Sequence, residues 1–123
     1  MFRHLLALSG LFAATAALAE PCSAPRGAQV FQRQCAMCHV TEAGAAHSVG
    51  PNLHGAAGRA IGQAPGFAYS EVLADATGTW DEARLGAFLV APQKAFPGTA
   101  MPFQGLRSEA DRRHLICFLQ TLK

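Results

Sequence analysis

The chain has 123 residues, four of them cysteine, and a formal net charge of +2. That length builds one compact domain rather than two. The small charge excludes a strong nucleic-acid or anionic-membrane footprint, and there is no like-charge run, repeat or low-complexity tract.

Met1 to His4 make a short basic start, and Leu5 to Leu18 are apolar with small residues interspersed. The run is too short to span a bilayer. Ala17-Leu18-Ala19 is a small-x-small cleavage site before Glu20. The segment therefore reads as a secretory signal, with 20–123 as the mature domain. An uncleaved membrane anchor is the alternative, but no stop-transfer flank follows, and nothing later looks membrane-spanning. Loss of Arg3 brings the net charge from +2 to +1. Export permits disulfides. A domain this small buries limited apolar surface and gains from a staple or a cofactor.

Glu20 to Pro25 form a short entry segment. From Arg26 the pattern is helical: Gly27, Phe31 and Cys35 step by four, with Val30 and Cys38 beside them. Gly27 is unfavourable in a helix on propensity. It either admits close approach of another helix or is merely tolerated.

Cys35-Ala36-Met37-Cys38-His39 follows, two cysteines three apart and then a histidine. This is the pattern of covalent haem c attachment. Positions i, i+3 and i+4 share one face of a helical turn. Cys35, Cys38 and His39 can thus meet one porphyrin, the sulfurs on its vinyl groups and the imidazole on its iron. Met101, far along the chain, is the candidate sixth ligand. A thioredoxin-like dithiol needs a βαβ context that is not visible. A zinc site needs further protein ligands, and no second Cys pair lies at finger spacing.

Thr41 to Pro65 are rich in Gly, Ala and Pro and read as loops. Within them, Gly50-Pro51-Asn52-Leu53 can lay a carbonyl against the haem-side histidine and fix its outer N–H. Ser70 caps a short helix through about Asp75. Thr79 and Glu82 read as a capping box for a helix carrying Leu85, Phe88 and Leu89, stopped before Pro92. Pro97-Gly98-Thr99-Ala100-Met101-Pro102 is a turn-rich strap. Ser108 caps the last helix, with Asp111 near its start and Leu115, Phe118, Leu119 and Leu122 as its apolar stripe. No strand is convincing. The prediction is an all-α domain whose long loops wrap a cofactor.

Taken together, these residues resemble small class I cytochromes c of the mitochondrial and alphaproteobacterial branch. The resemblance runs from about Gly27 to Leu122. It rests on Cys35-Ala-Met-Cys38-His39, Gly50-Pro51-Asn52-Leu53-His54-Gly55, Gly62-Gln-Ala-Pro-Gly66-Phe67-Ala-Tyr69, Trp80, Pro97-Gly98-Thr99-Ala-Met101 and the Leu115-Ile116 helix, in matching order and spacing. It implies the cytochrome c fold, with three main helices, short helices and long loops around one covalent haem c. It implies thioethers at Cys35 and Cys38, axial ligation by His39 and Met101, and a Pro51 carbonyl accepting from His39. It places Arg59, Tyr69, Trp80 and Thr99 around the haem propionates. Gly27 and Phe31 then cross Leu115 and Phe118, and Phe103 covers the haem near its exposed edge. His47 and His54 read as structural or surface residues, and His114 as solvated.

The resemblance implies a soluble, monomeric, periplasmic single-electron carrier and not an enzyme. Its expected partners are a cytochrome bc complex or a dehydrogenase as donor, and a terminal oxidase or photosynthetic reaction centre as acceptor. The alternative is a ligand sensor or peroxide-reactive enzyme in which Met101 dissociates, although no acid–base residue stands near Met101 in sequence. The chain departs from the family in three respects. Phe88 stands where a Tyr is common and Leu73 where an Asn is common, which predicts a drier distal side and a Met sulfur without a donor. Gln34, Ser48, Gln93 and Ala100 replace lysines that ring the haem edge, leaving Lys94, with Arg26, Arg33 and Arg107 elsewhere. Steering should be weak and electron-transfer rates nearly independent of salt. Finally, the resemblance brings the segments of Cys22 and Cys117 together. Either they form a disulfide, or Cys117 is a buried free thiol and Cys22 is free or lipid-modified.

Overall fold

A computed structural model describes residues 10–16, 18 and 21–123. The expected signal segment and its expected cleavage site fall largely outside the described residues. Of its apolar side chains, Leu11, Phe12 and Leu18 are exposed. Among the described residues no helix is long and apolar enough to cross a membrane.

Five helices carry the architecture: α1 Ala24–Gln34, α2 Glu71–Ala74, α3 Glu82–Val90, α4 Pro92–Ala95 and α5 Glu109–Thr121. Helix α1 begins two residues before the expected Arg26. Ser23 caps it by accepting from the Arg26 amide at 3.3 Å, and Pro25 sits in the first turn, where its missing N–H is no loss. Ser108 caps α5 through the Asp111 amide at 3.1 Å, as read from the sequence.

The expected capping box at Thr79 and Glu82 does not form. Thr79 is engaged in an isolated antiparallel bridge with Ala60, and the Trp80 amide donates to the Arg59 carbonyl at 2.8 Å. The chain is free to turn helical only after that bridge, so Asp81 caps α3 through the Arg84 amide at 2.8 Å. Helix α4, which was not anticipated, starts at Pro92 just after the extended Ala91. Proline suits a first helical position.

The core is built where α1 crosses α5. Val30 and Phe31 meet Leu115, Ile116 and Leu119, and Leu85, Leu89 and Leu106 complete the cluster. The Phe31 and Phe118 rings lie 5.8 Å apart. Gly27 permits the crossing: a Cβ there would sit 1.9 Å from the His114 carbonyl oxygen. The close approach buries His114, which corrects the expectation that it is solvated. Its Nδ1 accepts from the Ser23 amide at 2.9 Å. One turn further along α5, Cys117 is joined to Cys22 by a disulfide.

The long loop after the attachment motif is held by two pegs. Asn52, buried, donates through its amide to the carbonyls of Glu42 at 2.7 Å and Ala45 at 3.1 Å, while its Oδ1 accepts from the His54 amide at 2.9 Å. His47 accepts from the Asn52 amide at 2.9 Å and donates to the Pro65 carbonyl at 2.7 Å. Both of its ring nitrogens are used. His54 contacts the Thr41 carbonyl at 3.2 Å. His47 and His54 are thus structural.

Candidate haem site

Cys35 ends α1, and its amide donates to the Phe31 carbonyl at 2.8 Å. Its own carbonyl accepts from Cys38 at 3.1 Å and from His39 at 3.0 Å. One turn beyond the helix therefore gathers the two sulfurs and the imidazole. The loop that follows returns to this turn, the Gly50 amide donating to the Cys38 carbonyl at 2.8 Å. Gly50 lies directly under the imidazole, since a Cβ there would fall 2.4 Å from a ring carbon of His39. The next residue, Pro51, accepts from His39 Nδ1 at 2.7 Å. With Nδ1 tied to a carbonyl, Nε2 is the ring nitrogen left for a metal.

The electrostatics favour neutral groups. Burial lowers the His39 pKa, and the Pro51 hydrogen bond opposes this only partly. The imidazole is accordingly held in the uncharged form that binds iron. Burial, with Cys38 nearby, raises the Cys35 thiol to about 11. A thioether would remove that titration altogether.

The remaining expected residues converge from three segments. Arg59 and Trp80 are brought together by backbone pairing, with Trp80 donating to Arg59 at 2.8 Å and Gly58 to Trp80 at 2.8 Å. The Arg59 guanidinium also donates to the His54 carbonyl at 3.3 Å. Trp80 lies in an aromatic group, 4.9 Å from Phe88 and 5.9 Å from Phe96. Tyr69 accepts from the Ala64 amide at 3.0 Å through its hydroxyl. Thr99 is buried, and its hydroxyl faces the Met101 amide at 3.4 Å. Cys35, Leu53, Trp80 and Phe103 all pack against the one core cluster. The attachment motif, the tryptophan and the strap around Met101 thus border one interior region.

Three residues of the site were not found by sequence reasoning. Gln93 was read as partner-facing, yet its side-chain amide donates to the carbonyls of Thr99 at 3.1 Å and Met101 at 2.6 Å, pinning the strap to α4. Arg112 reaches from α5 to the carbonyls of Leu106 at 2.6 Å and Arg107 at 3.0 Å, in the segment between the strap and α5. Ser70 was read as a helix cap, but its side chain makes no capping bond, and its Oγ is buried without a hydrogen-bond partner. A buried unpaired hydroxyl costs roughly 1–3 kcal/mol. A carboxylate brought beside Tyr69 would satisfy it. Together with a cysteine pair, a preset imidazole and a strap-borne thioether, that orphan atom fits a haem with its propionates. No three His, Cys, Asp or Glu side chains gather among the described residues in the way a zinc site requires.

The cytochrome c family model matches residues 24–123. The chain is 44% identical to a cytochrome c of Ulva intestinalis over 106 residues, covering 86% of this chain and 96% of that protein. It is 47% identical to a cytochrome c2 of Rhodoblastus acidophilus over 97 residues, covering 79% of this chain and 90% of the relative. A cytochrome c of Kluyveromyces lactis is 41% identical over 97 residues, 79% of this chain and 88% of that one. The chain belongs to the cytochrome c family. Members bind one covalently attached haem c and transfer electrons rather than catalyse a reaction. The helical architecture without strands among the described residues is that of the family. This cytochrome is therefore a haem-based electron carrier.

Proposed function

We propose that the chain is exported, loses residues 1–19, and works in the periplasm as a soluble, monomeric one-electron carrier with His39 and Met101 as axial ligands. The observation that carries the reading is the setting of His39. Its Nδ1 is fixed on Pro51 at 2.7 Å and its ring is backed by Gly50, so the ligand is oriented by backbone before any metal arrives. When bound, the haem supplies reversible one-electron chemistry at its iron, and a Met/His pair raises its potential.

The chain's own residues perform the rest. Cys35 and Cys38 anchor the group covalently. Gln93 and Thr99 tie the strap at Thr99 and Met101, which limits its movement between oxidation states. Arg59, Tyr69, Trp80 and Thr99, with Ser70 added, offer donors to the propionates. Phe88 and Phe96 exclude water beside Trp80. With His39 and Met101 both bound, a haem iron would have no open position for substrate, which favours electron transfer over sensing or peroxide chemistry. The donor we propose is a cytochrome bc complex or a dehydrogenase, and the acceptor a terminal oxidase or photosynthetic reaction centre.

The test is an optical redox titration of the mature protein and of Met101→Ala. The native protein should show a thioether haem c alpha band when reduced and a weak far-red ferric band. Met101→Ala should lose the far-red band and fall in potential. An unchanged spectrum and potential in that variant would remove Met101 from the iron.

A further inference from the structure

Met101 lies in a stretch with few backbone ties. The Thr99 amide donates to the Phe96 carbonyl at 3.0 Å, and the next such bond along the chain runs from the Leu106 amide to the Leu89 carbonyl at 2.8 Å. Between them, residues 100–105 make no backbone–backbone hydrogen bond among the described residues. Phe103 packs against the core and steadies the far half. In the near half the Met101 amide lies 3.4 Å from the Thr99 hydroxyl, a long contact between close neighbours that joins it to no other element. One side chain from outside makes that link. Gln93 Nε2 donates to the carbonyls of Thr99 at 3.1 Å and Met101 at 2.6 Å. An amide nitrogen carries two hydrogens, one for each carbonyl.

The root of that side chain is fixed. Pro92 beside it is fully buried. The Ala91 carbonyl accepts from the Lys94 and Ala95 amides, both at 3.0 Å, and the Phe96 amide donates to the Pro92 carbonyl at 2.9 Å. Phe96 is in turn seated 5.9 Å from Trp80 and 6.0 Å from Phe88. Gln93 itself is exposed, so its contribution is the two bonds and not core packing.

We infer that Gln93 is the latch on the Met101 stretch, a positioning residue that sets how often Met101 leaves the iron and so how well small ligands are kept from it. The inference rests on the Met101 ligation proposed above. The chemistry selects glutamine. Both targets are carbonyl oxygens, so the latch needs two donors and no acceptor facing them. An ionised glutamate has the same shape, offers no donor, and sets negative charge against the two oxygens. A lysine, expected here from the resemblance, has donors on a longer and more mobile stem. The closed strap keeps its geometry with or without the latch, so substitution changes the frequency of opening and leaves the resting site as it is.

The test uses the mature ferric haem protein with Gln93→Glu and Gln93→Ala at neutral pH. Imidazole probes access to the iron. It takes the place of Met101 only when the stretch opens, so at saturating imidazole the loss of the far-red band levels off at the opening rate. That plateau should rise about tenfold or more in both variants, as two hydrogen bonds of ordinary net strength imply. The resting spectrum and the guanidinium midpoint should stay close to native. Amide hydrogen exchange, which needs no ligand at the iron, should quicken by a similar factor within 100–105 and not in α1 or α5. A plateau unchanged in both variants would overturn the inference. So would faster exchange spread over the whole chain, which would make Gln93 a general stabiliser. A native protein without the far-red band would fail the Met101 reading instead, and exchange within 100–105 would then decide the latch by itself.

Discussion

Replacing Cys22 by Ser and Cys117 by Ala removes the link between the first residues of the domain and its last helix. The crosslink spans a sequence separation of 95. In the chain-entropy model, opening a loop of that size returns about 16 cal/mol/K to the unfolded ensemble, or about 4.7 kcal/mol at 25 °C. Two effects lower the figure. The Phe31 and Phe118 segments retain some mutual attraction when unfolded. Any residual bond from Met101 to the iron in the unfolded chain also closes an inner loop. About 3 to 4.7 kcal/mol should survive, a fall of roughly 15–20 °C in Tm for a domain this size. The assay is guanidinium unfolding followed by Trp80 fluorescence. A reductant is unsuitable because it also reduces the iron, so the double variant carries the test. Equal midpoints for variant and native protein, or two free thiols in the mass of the unreduced protein, would refute the crosslink and the entropy argument with it.

Gly27→Ala puts a methyl 1.9 Å from the His114 carbonyl oxygen and 2.7 Å from Phe118 Cβ. Neither neighbour is a flexible tip, so the variant should lose about 3 kcal/mol or more on chemical unfolding. Gly50→Ala pushes a methyl into the His39 imidazole, 2.4 Å from a ring carbon. Its haem protein should lose low-spin His/Met absorption at a temperature where the native protein keeps it. Phe88→Tyr adds a hydroxyl inside the group formed by Trp80 and Phe96. If it donates to the Met101 sulfur, that hydrogen bond of about 1 kcal/mol withdraws electron density and raises the potential by up to about 40 mV, as voltammetry would record. An unchanged or lower potential would contradict this.

Much of the site was legible because its signals are local. The spacing of Cys35, Cys38 and His39 is a property of one turn, and Pro51 follows at a distance that a short loop can close. The long apolar stripes of α1 and α5 announced themselves by period. What was not legible depends on contacts between segments distant in sequence. His114 looked solvated because its neighbours Arg112 and Arg113 are charged, but the absent side chain of Gly27 decides its burial. Thr79 offered good capping chemistry and lost it to a bridge with Ala60, 19 residues earlier in the chain. Gln93 looked like a surface replacement for a lysine, and nothing local says that its amide spans to the carbonyls of Thr99 and Met101. Ser70 had the identity and position of a cap, while its Oγ is buried without a hydrogen-bond partner.

The same comparison explains how a domain with so little regular structure holds a site still. The groups that orient the functional side chains are mainly backbone carbonyls and amides. Pro51 holds His39, the Cys35 and Cys38 backbone closes the attachment turn, and the carbonyls of Thr99 and Met101 receive Gln93. Backbone groups are present whatever the side chain, so substitutions around the rim leave the geometry intact. That leaves the exposed residues free to vary in charge while the iron's surroundings stay fixed. Glycine is the exception, because at Gly27, Gly50, Gly62 and Gly105 the backbone must itself be approached. Loss of function through single substitutions should therefore concentrate at those glycines and the direct ligands.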